Sequence, residues 1–288
     1  MLLYGNISSN KTDILIEKYT ELLNNNISSD DILVILQNSK LKEEFLSKVK
    51  KNLKINSITK FNVYSFFGLC YNFVQDYYPV IENKIKYDAP SISPNTTGLE
   101  ASQYIFKNTV NSISFKGYNS KTNLLHQLLR RYSLITLNNL DDNEIKEKTK
   151  ILKESFTTEI HLAINMYKQK TLELRAFDYL RQIGLFNFIY KNIKNKFKYI
   201  FIDDADEITP VLFDYLKFIK NDIKSFFIGY DPMGSSRKGH LCAFENNFEL
   251  FLGETPELID EKNQKNETAN LIFNNIKNQN PTNLDNLK

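Results

Sequence analysis

The segment Gly5-Asn6-Ile7-Ser8-Ser9-Asn10-Lys11-Thr12 has the residue types and spacing of a loop that wraps phosphate. It follows G-x-x-x-x-G-K-[ST] at each fixed position but one, where Asn10 stands for the second glycine. Such a loop ends a strand, turns backbone N–H groups toward phosphate oxygens, and starts a helix whose positive dipole end faces the anion. Gly5, Asn6, Ser8, Ser9 and Asn10 would form the cradle, Lys11 would reach the outer phosphates, and the Thr12 hydroxyl would reach Mg2+. Asn tolerates positive φ better than most non-glycine residues, so Asn10 is expected to keep the loop shape. The same residues also suit a polar turn before an amphipathic helix. The position between a buried strand and a helix favours the phosphate reading.

A second cluster is Ile200-Phe201-Ile202-Asp203-Asp204-Ala205-Asp206-Glu207. An apolar strand delivers acidic groups to the carboxyl edge of a sheet, where ligand sites of parallel sheets lie. Asp203 could hold Mg2+, and Asp204 could orient or deprotonate an attacking water. So dense a cluster repels itself unless a cation or basic partner is near. An acidic start to the next helix, favoured by its dipole, is the plainer alternative. A third segment, Phe227 to Ser236, is a strand ending in a glycine-containing polar loop, or an ordinary strand-to-loop turn.

These residues need a scaffold. Leu2–Tyr4 reads as a short buried strand, and Ile14, Leu15, Tyr19, Leu22 and Leu23 have helical spacing. The apolar run Ile32–Leu36 suits a parallel strand buried on both faces. Residues 40–53 read as helix, Ile58–Ser65 as extended, and an aromatic-rich helix follows. The alternation stops near Tyr78-Pro79, and the Pro- and Ser-rich stretch Asp88–Gly98 reads as a boundary. From Leu99 to about Leu185 the periodicity is helical without a convincing strand, as in Leu124, Leu125, Leu128, Leu129, Tyr132 and in Ile151, Leu152, Phe156, Ile160. Strands return at Tyr199–Ile202 and Phe226–Gly229, with a helix at Val211–Ile219 between them. The expected fold is α/β: a parallel sheet with a phosphate loop, interrupted by an all-helical subdomain. The expected units are 1–88, 89–185 and 186–288, with about the last 25 residues fraying.

Composition narrows the setting. The 288 residues carry a net charge of +3 and a pI of about 8.5, which permits a nucleic-acid partner without demanding one. Cys70 and Cys242 have neither disulfide-framework nor metal-ligand spacing, and His126, His161 and His240 are scattered. No apolar run reaches the ~18–20 residues of a membrane span, and the N-terminus lacks the basic region of a signal peptide. A soluble cytoplasmic protein is expected. Arg130-Arg131 and Lys191–Lys198 suit either a phosphate backbone or plain surface charge.

Taken together, these segments resemble UvrD/Rep/PcrA-type superfamily 1 DNA helicases, over nearly the whole chain. Ile32 to Phe45 is similar to the family's second conserved segment, which contacts single-stranded DNA. Asn62-Val63-Tyr64-Ser65-Phe66 sits where the family has Thr-Phe-His-Ser-Phe, and Phe177-Asp178-Tyr179-Leu180 resembles the segment returning from the family's helical insertion. The resemblance implies a RecA-like motor domain binding ATP and Mg2+ through Gly5, Lys11, Thr12 and Asp203. It places Asp204 at the catalytic Glu position and Asn38, Lys40, Tyr64 and Ser65 at single-stranded DNA. It further implies ATP hydrolysis coupled to translocation or unwinding in repair or recombination.

The departures are specific. Asp204 is shorter than the family's Glu, Asp206 replaces a γ-phosphate-sensing Gln, and Met233 stands near another expected Gln. Leu258–Ile276 sits where the family begins its second motor domain, after an "asn-tyr-arg" segment, and no Arg near Asn263-Gln264-Lys265 matches the Arg of that segment. Because the family binds ATP between two RecA-like domains, the expectation is the N-terminal part of a longer protein, able to bind nucleotide but not to translocate alone. The partner would be a second RecA-like domain or a nuclease/helicase subunit. The alternative is a degenerate, AddB-like DNA-binding scaffold without ATPase activity. A small-molecule kinase is a third reading, opposed by the helical insertion.

Overall fold

The computed structural model describes residues 1–5, 9–53, 60–85, 94–115, 120–141, 143–145, 147, 158–231, 234 and 248–259. Its centre is a six-stranded sheet, and all of its pairings are parallel. The strands are β1 (Leu2–Tyr4), β2 (Ile32–Leu36), β3 (Val63–Ser65), β6 (Tyr199–Ile202), β7 (Ser225–Tyr230) and β8 (Glu257–Leu258). Their order is β3-β2-β6-β7-β1-β8. Parallel pairing puts the carboxyl ends of all six strands on one edge, so the residues after β1, β6 and β7 meet there.

The sheet is buried on both sides, and successive residues of a strand serve opposite cores. Leu2, Leu33, Ile35, Ile200, Ile202 and Ile228 enter one core. Leu3, Ile32, Val34, Leu36, Val63 and Phe201 enter the other. The second core is closed by α1 (Lys11–Asn24) and α2 (Ser39–Leu53), through Leu15, Ile16, Tyr19, Phe45 and Val49.

The first core is closed by α3 (Phe66–Ile85) and by helices that follow it in the chain. It continues without a break into the helices inserted between β3 and β6. These include α4 (Leu99–Asn111), α5 (Lys121–Leu137), α6 (Thr158–Glu173) and α7 (Tyr179–Ile189). Phe106 stacks on Tyr167 at 3.8 Å between centroids, and Tyr132 meets Tyr167 edge-on at 5.6 Å. Helix α7 packs back onto α3, with Phe186 edge-on to both Phe66 and Phe73. After β6, α8 (Pro210–Ile219) starts with proline at its first turn, where the missing N–H costs nothing. Helix α9 (Phe248–Leu252) follows β7.

The α/β fold expected from sequence, a RecA-like parallel sheet with a helical insertion, is the fold observed. Four local features differ. The insertion holds a parallel pair, β4 (Asn95–Thr96) with β5 (Ala176–Phe177), too short to leave an alternating pattern. Helix α3 runs past Pro79 to Ile85, bent at Tyr77 (φ −121, ψ 16), because the bend absorbs the lost hydrogen bond. Strand β8 lies in a stretch that carries no strand signal. Within Ile58–Ser65, strand begins at Val63, and residues 58 and 59 lie outside the described residues. The helical pattern at Ile151–Phe156 and the tail after Ile259 lie outside them as well.

Candidate functional site

The carboxyl ends of β1, β6 and β7 converge on Lys11 and Thr12, the first two residues of α1. Gly5 follows β1, and its N–H donates to the Tyr230 carbonyl at 3.2 Å, tying the end of β1 to the end of β7. A Cβ on Gly5 would stand 2.5 Å from Ser9 Oγ, so only glycine fits this turn. Asn10 is the N-cap of α1, and its carbonyl accepts from the Ile14 N–H at 3.0 Å. Its φ is −80 and ψ 24, so the positive φ expected there is not used. Helix α1 starts directly at Lys11, and Asn10 needs only ordinary backbone angles to precede it. Asn6 and Ser8 lie outside the described residues.

Lys11 is only 4% exposed, rare for an ammonium. Its Nζ donates to the Gly5 carbonyl at 2.8 Å and to Ser9 Oγ at 3.1 Å. Burial lowers its pKa, while Asp231, then Asp203, Asp204 and Asp206, hold it up. Next to it, Thr12 Oγ1 donates to Asp203 Oδ2 at 2.6 Å, across 191 positions of sequence. Asp203 is 6% exposed, and burial raises its pKa against the pull of Thr12, the Asp204 N–H and Lys11.

Asp204 turns the chain out of β6 in the left-handed region (φ 51, ψ 49), which Asp tolerates better than most residues. Its N–H donates to Asp203 Oδ1 at 3.1 Å. Burial, with the charges of Asp203 and Asp206, pushes its carboxyl up to about 7. Asp206 Oδ1 accepts the Asp231 N–H at 2.9 Å, tying the turn after β6 to the loop after β7. A Cβ on Gly234 would stand 2.2 Å from Asp206 Oδ2, so this loop passes too close for any other residue. Gly229 likewise lets β7 approach: a Cβ there would stand 3.2 Å from Asp203 Oδ1 and 3.4 Å from Lys11 Cβ.

Sequence reasoning flagged the Phe227–Ser236 segment without assigning it residues in the site. The structure adds Gly229, Asp231 and Gly234, signalled by glycines placed just after a buried strand. Pro232, Met233, Ser235 and Ser236 lie outside the described residues.

The residues expected at DNA share the same sheet edge but not the same cluster. Asn38 is exposed, and its Oδ1 accepts from the Leu41 N–H at 3.0 Å, capping α2. Lys40 stands free in solvent but for Glu44 at 4.0 Å. Ser65 Oγ accepts from the Gly68 N–H at 3.1 Å at the start of α3. Tyr64 is half-buried, its Oη donating to Asn62 Oδ1 at 3.4 Å, with Lys42 Nζ 5.6 Å from its ring centroid. Beside them Phe67 and Tyr71 are each 38% exposed, large apolar surface near a polar edge.

A hydroxyl, a buried carboxylate and a buried ammonium at a helix N-terminus form an oxygen-rich site suited to a small hard cation and a phosphate. Among the described residues, no three His, Cys, Asp or Glu side chains gather as a protein-only metal cage. A cation here would therefore take its remaining ligands from phosphate and water.

The fold that carries these residues, a parallel six-stranded sheet with helices on both sides, is that of a RecA-like helicase domain. The family is specific: the UvrD/REP helicase N-terminal domain model matches residues 7–232, and the chain belongs to the UvrD-type superfamily 1 helicases. No curated protein sequence matches the chain.

Proposed function

We propose that this chain is the ATP-binding motor domain of a UvrD-type DNA helicase, acting on single-stranded DNA in repair or recombination in the cytoplasm. Units 1–88 and 186–288 form the motor and 89–185 its helical insertion. The observation that carries the reading is the contact of Thr12 with Asp203 at 2.6 Å beside a buried Lys11. A buried ammonium among carboxylates is costly for stability, and a nucleotide's phosphates give it a purpose.

The loop from Gly5 through Asn6, Ser8, Ser9 and Asn10 would cradle the phosphates. Lys11, turned to the Gly5 carbonyl and Ser9 Oγ, would exchange those contacts for phosphate oxygens. Thr12 and Asp203 would hold Mg2+, which when bound neutralises charge on the phosphates. Asp204 would orient and deprotonate the attacking water. Asn38, Lys40, Tyr64 and Ser65 would meet the strand, Lys40 at phosphate and Tyr64 by stacking. Arginines from a second RecA-like domain would complete turnover. Among the described residues no helix is long and apolar enough to cross a membrane.

One observation favours a second reading. Asp206 is engaged with the Asp231 N–H, and Asp204 is shorter than the family's Glu. Misplacing a water-orienting carboxylate by about 1 Å can cost ~10²-fold in rate. A DNA-binding scaffold without hydrolysis, partnered by a nuclease/helicase subunit, is consistent with both.

The test is linkage between sites. Binding of a labelled oligo-dT is followed by anisotropy with and without Mg·ATP. The motor reading predicts a several-fold change in DNA affinity that Lys11→Ala removes, since coupling is reciprocal. Failure to bind oligo-dT under either condition would overturn it. DNA binding indifferent to nucleotide favours the scaffold.

A further inference from the structure

A second cationic site lies in the insertion, away from the phosphate loop. Helices α5, α6 and α7 enclose a polar cleft of about 180 Å³. Among the described residues its polar lining is Thr136, Asn139, Lys168, Arg181 and Asn187, with no carboxylate.

Arg181 sits in the first turn of α7, and its Nε is buried without a hydrogen-bond partner. A buried N–H left unpaired is expensive, and more so on a charged group. The obvious internal acceptor is occupied: Asp178 takes the Arg181 backbone N–H on Oδ1 at 2.6 Å and the Tyr167 hydroxyl on Oδ2. The guanidinium is held instead against the Phe177 ring, 5.8 Å from its centroid. Lys168 Nζ stands over Tyr132, another lining residue, at 5.8 Å.

Two further features keep the cleft open. Gly184 faces it from inside α7, where glycine is less favourable than alanine. A Cβ there would meet nothing within 4 Å, so packing does not require the glycine. The last carbonyls of α5, which would repel an anion, are capped: Asn139 N–H donates to Thr136 O at 3.2 Å and Leu140 N–H to Ile135 O at 3.0 Å. The Asn139 and Asn187 amides are joined to each other, and Asn139 Nδ2 is anchored on Asp214 at 3.1 Å, which fixes the wall.

We propose that the cleft between α5, α6 and α7 binds a phosphate oxyanion through Arg181 and Lys168. The planar guanidinium fork matches phosphate oxygens, and a tetrahedral oxyanion supplies an acceptor for the unpartnered Arg181 Nε–H. The phosphate belongs either to a free anion or to a nucleic-acid backbone. The inference does not depend on the nucleotide reading of the other site.

The test titrates the Lys11→Ala protein with inorganic phosphate by calorimetry, so that the phosphate loop contributes nothing. One binding event is expected to remain. Adding Arg181→Lys, which keeps the charge but loses the fork, is expected to weaken it at least ~10-fold. Adding Gly184→Leu, which fills the cleft and favours helix, is expected to weaken it equally without lowering Tm. The Gly184 variant decides the matter if Arg181→Lys does not fold. Loss of the phosphate signal when a short oligo-dT is present assigns the phosphate to a nucleic-acid backbone; a signal that oligo-dT leaves unchanged assigns it to a small anion, and both support the site. No phosphate binding in the Lys11→Ala protein, or binding that neither cleft substitution alters, overturns it.

Discussion

The two halves of one sheet edge are built on different terms. At the ends of β1, β6 and β7, charged groups are buried: Lys11 and Asp203 are 4% and 6% exposed. At the ends of β2 and β3, Asn38 and Lys40 stand in solvent, and Asn38 and Ser65 cap the helices that follow. Burial of charge carries a desolvation cost that no fold needs to bear, so the first half points to a ligand on its own. The second half has local structural roles that account for most of its residues without DNA. What remains unexplained there is the exposed aromatic surface of Phe67 and Tyr71 and the half-buried ring of Tyr64.

The largest effect separating the halves concerns Mg2+. Chelation is expected to weaken ATP binding by about 10-fold or more, ~1.4 kcal/mol. Asp203→Asn is expected to cause the same loss with Mg2+ present, and chelation should then add nothing. Calorimetric titration with and without EDTA reads both. A full Mg2+ response in Asp203→Asn would detach the metal from β6.

Next come the caps. Asn38→Ala and Ser65→Ala should each lower stability by ~1 kcal/mol, the usual cost of losing an N-cap, read as a shift in urea midpoint at constant m. If either leaves stability unchanged but weakens oligo-dT binding, the second half is functional in the same sense as the first.

A similar magnitude is expected from pH. The Asp204 carboxyl is pushed up to about 7, above its ordinary 3.8, so the folded state holds its proton more tightly than the unfolded chain. Its contribution is therefore most favourable below the ordinary carboxylate range and is lost as pH climbs through about 7. Screening at this half-buried group leaves ~1 kcal/mol, a fall of roughly 2–4 °C in Tm from pH 5 to pH 8. Asp204→Asn should flatten that slope.

The smallest effect is Lys40→Ala. Its exposed contact with Glu44 at 4.0 Å is worth little, so stability should stay within ~0.5 kcal/mol. If Lys40 meets a phosphate, the salt dependence of oligo-dT binding should become shallower by about one charge. An unchanged slope would remove Lys40 from the DNA surface.

Much of this arrangement was legible in the chain itself. Leu2–Tyr4 and Tyr199–Ile202 read as buried strands of one parallel sheet, and parallel strands oblige Thr12 and Asp203, which follow them, to share an edge. The tie between Asp206 and the Asp231 N–H was not legible, because it depends on how two loops fold back on each other. Strand β8 and the β4–β5 pair are two residues long, below any periodic signal. Asn10 was expected to use the left-handed region because it replaces a glycine, yet its local geometry is ordinary. Asn38 and Ser65 were assigned to DNA through family resemblance, although each precedes a helix and carries a cap signal of its own.

The most direct measurement is binding of a fluorescent ATP analogue with Mg2+ to the 288-residue protein and to its Lys11→Ala variant. Saturable binding that Lys11→Ala weakens at least ~100-fold, with an unchanged circular dichroism spectrum, is the predicted result; it amounts to ~2.7 kcal/mol. Equal binding by the two proteins would contradict the account, because the buried ammonium at the head of α1 would then have no part in holding nucleotide.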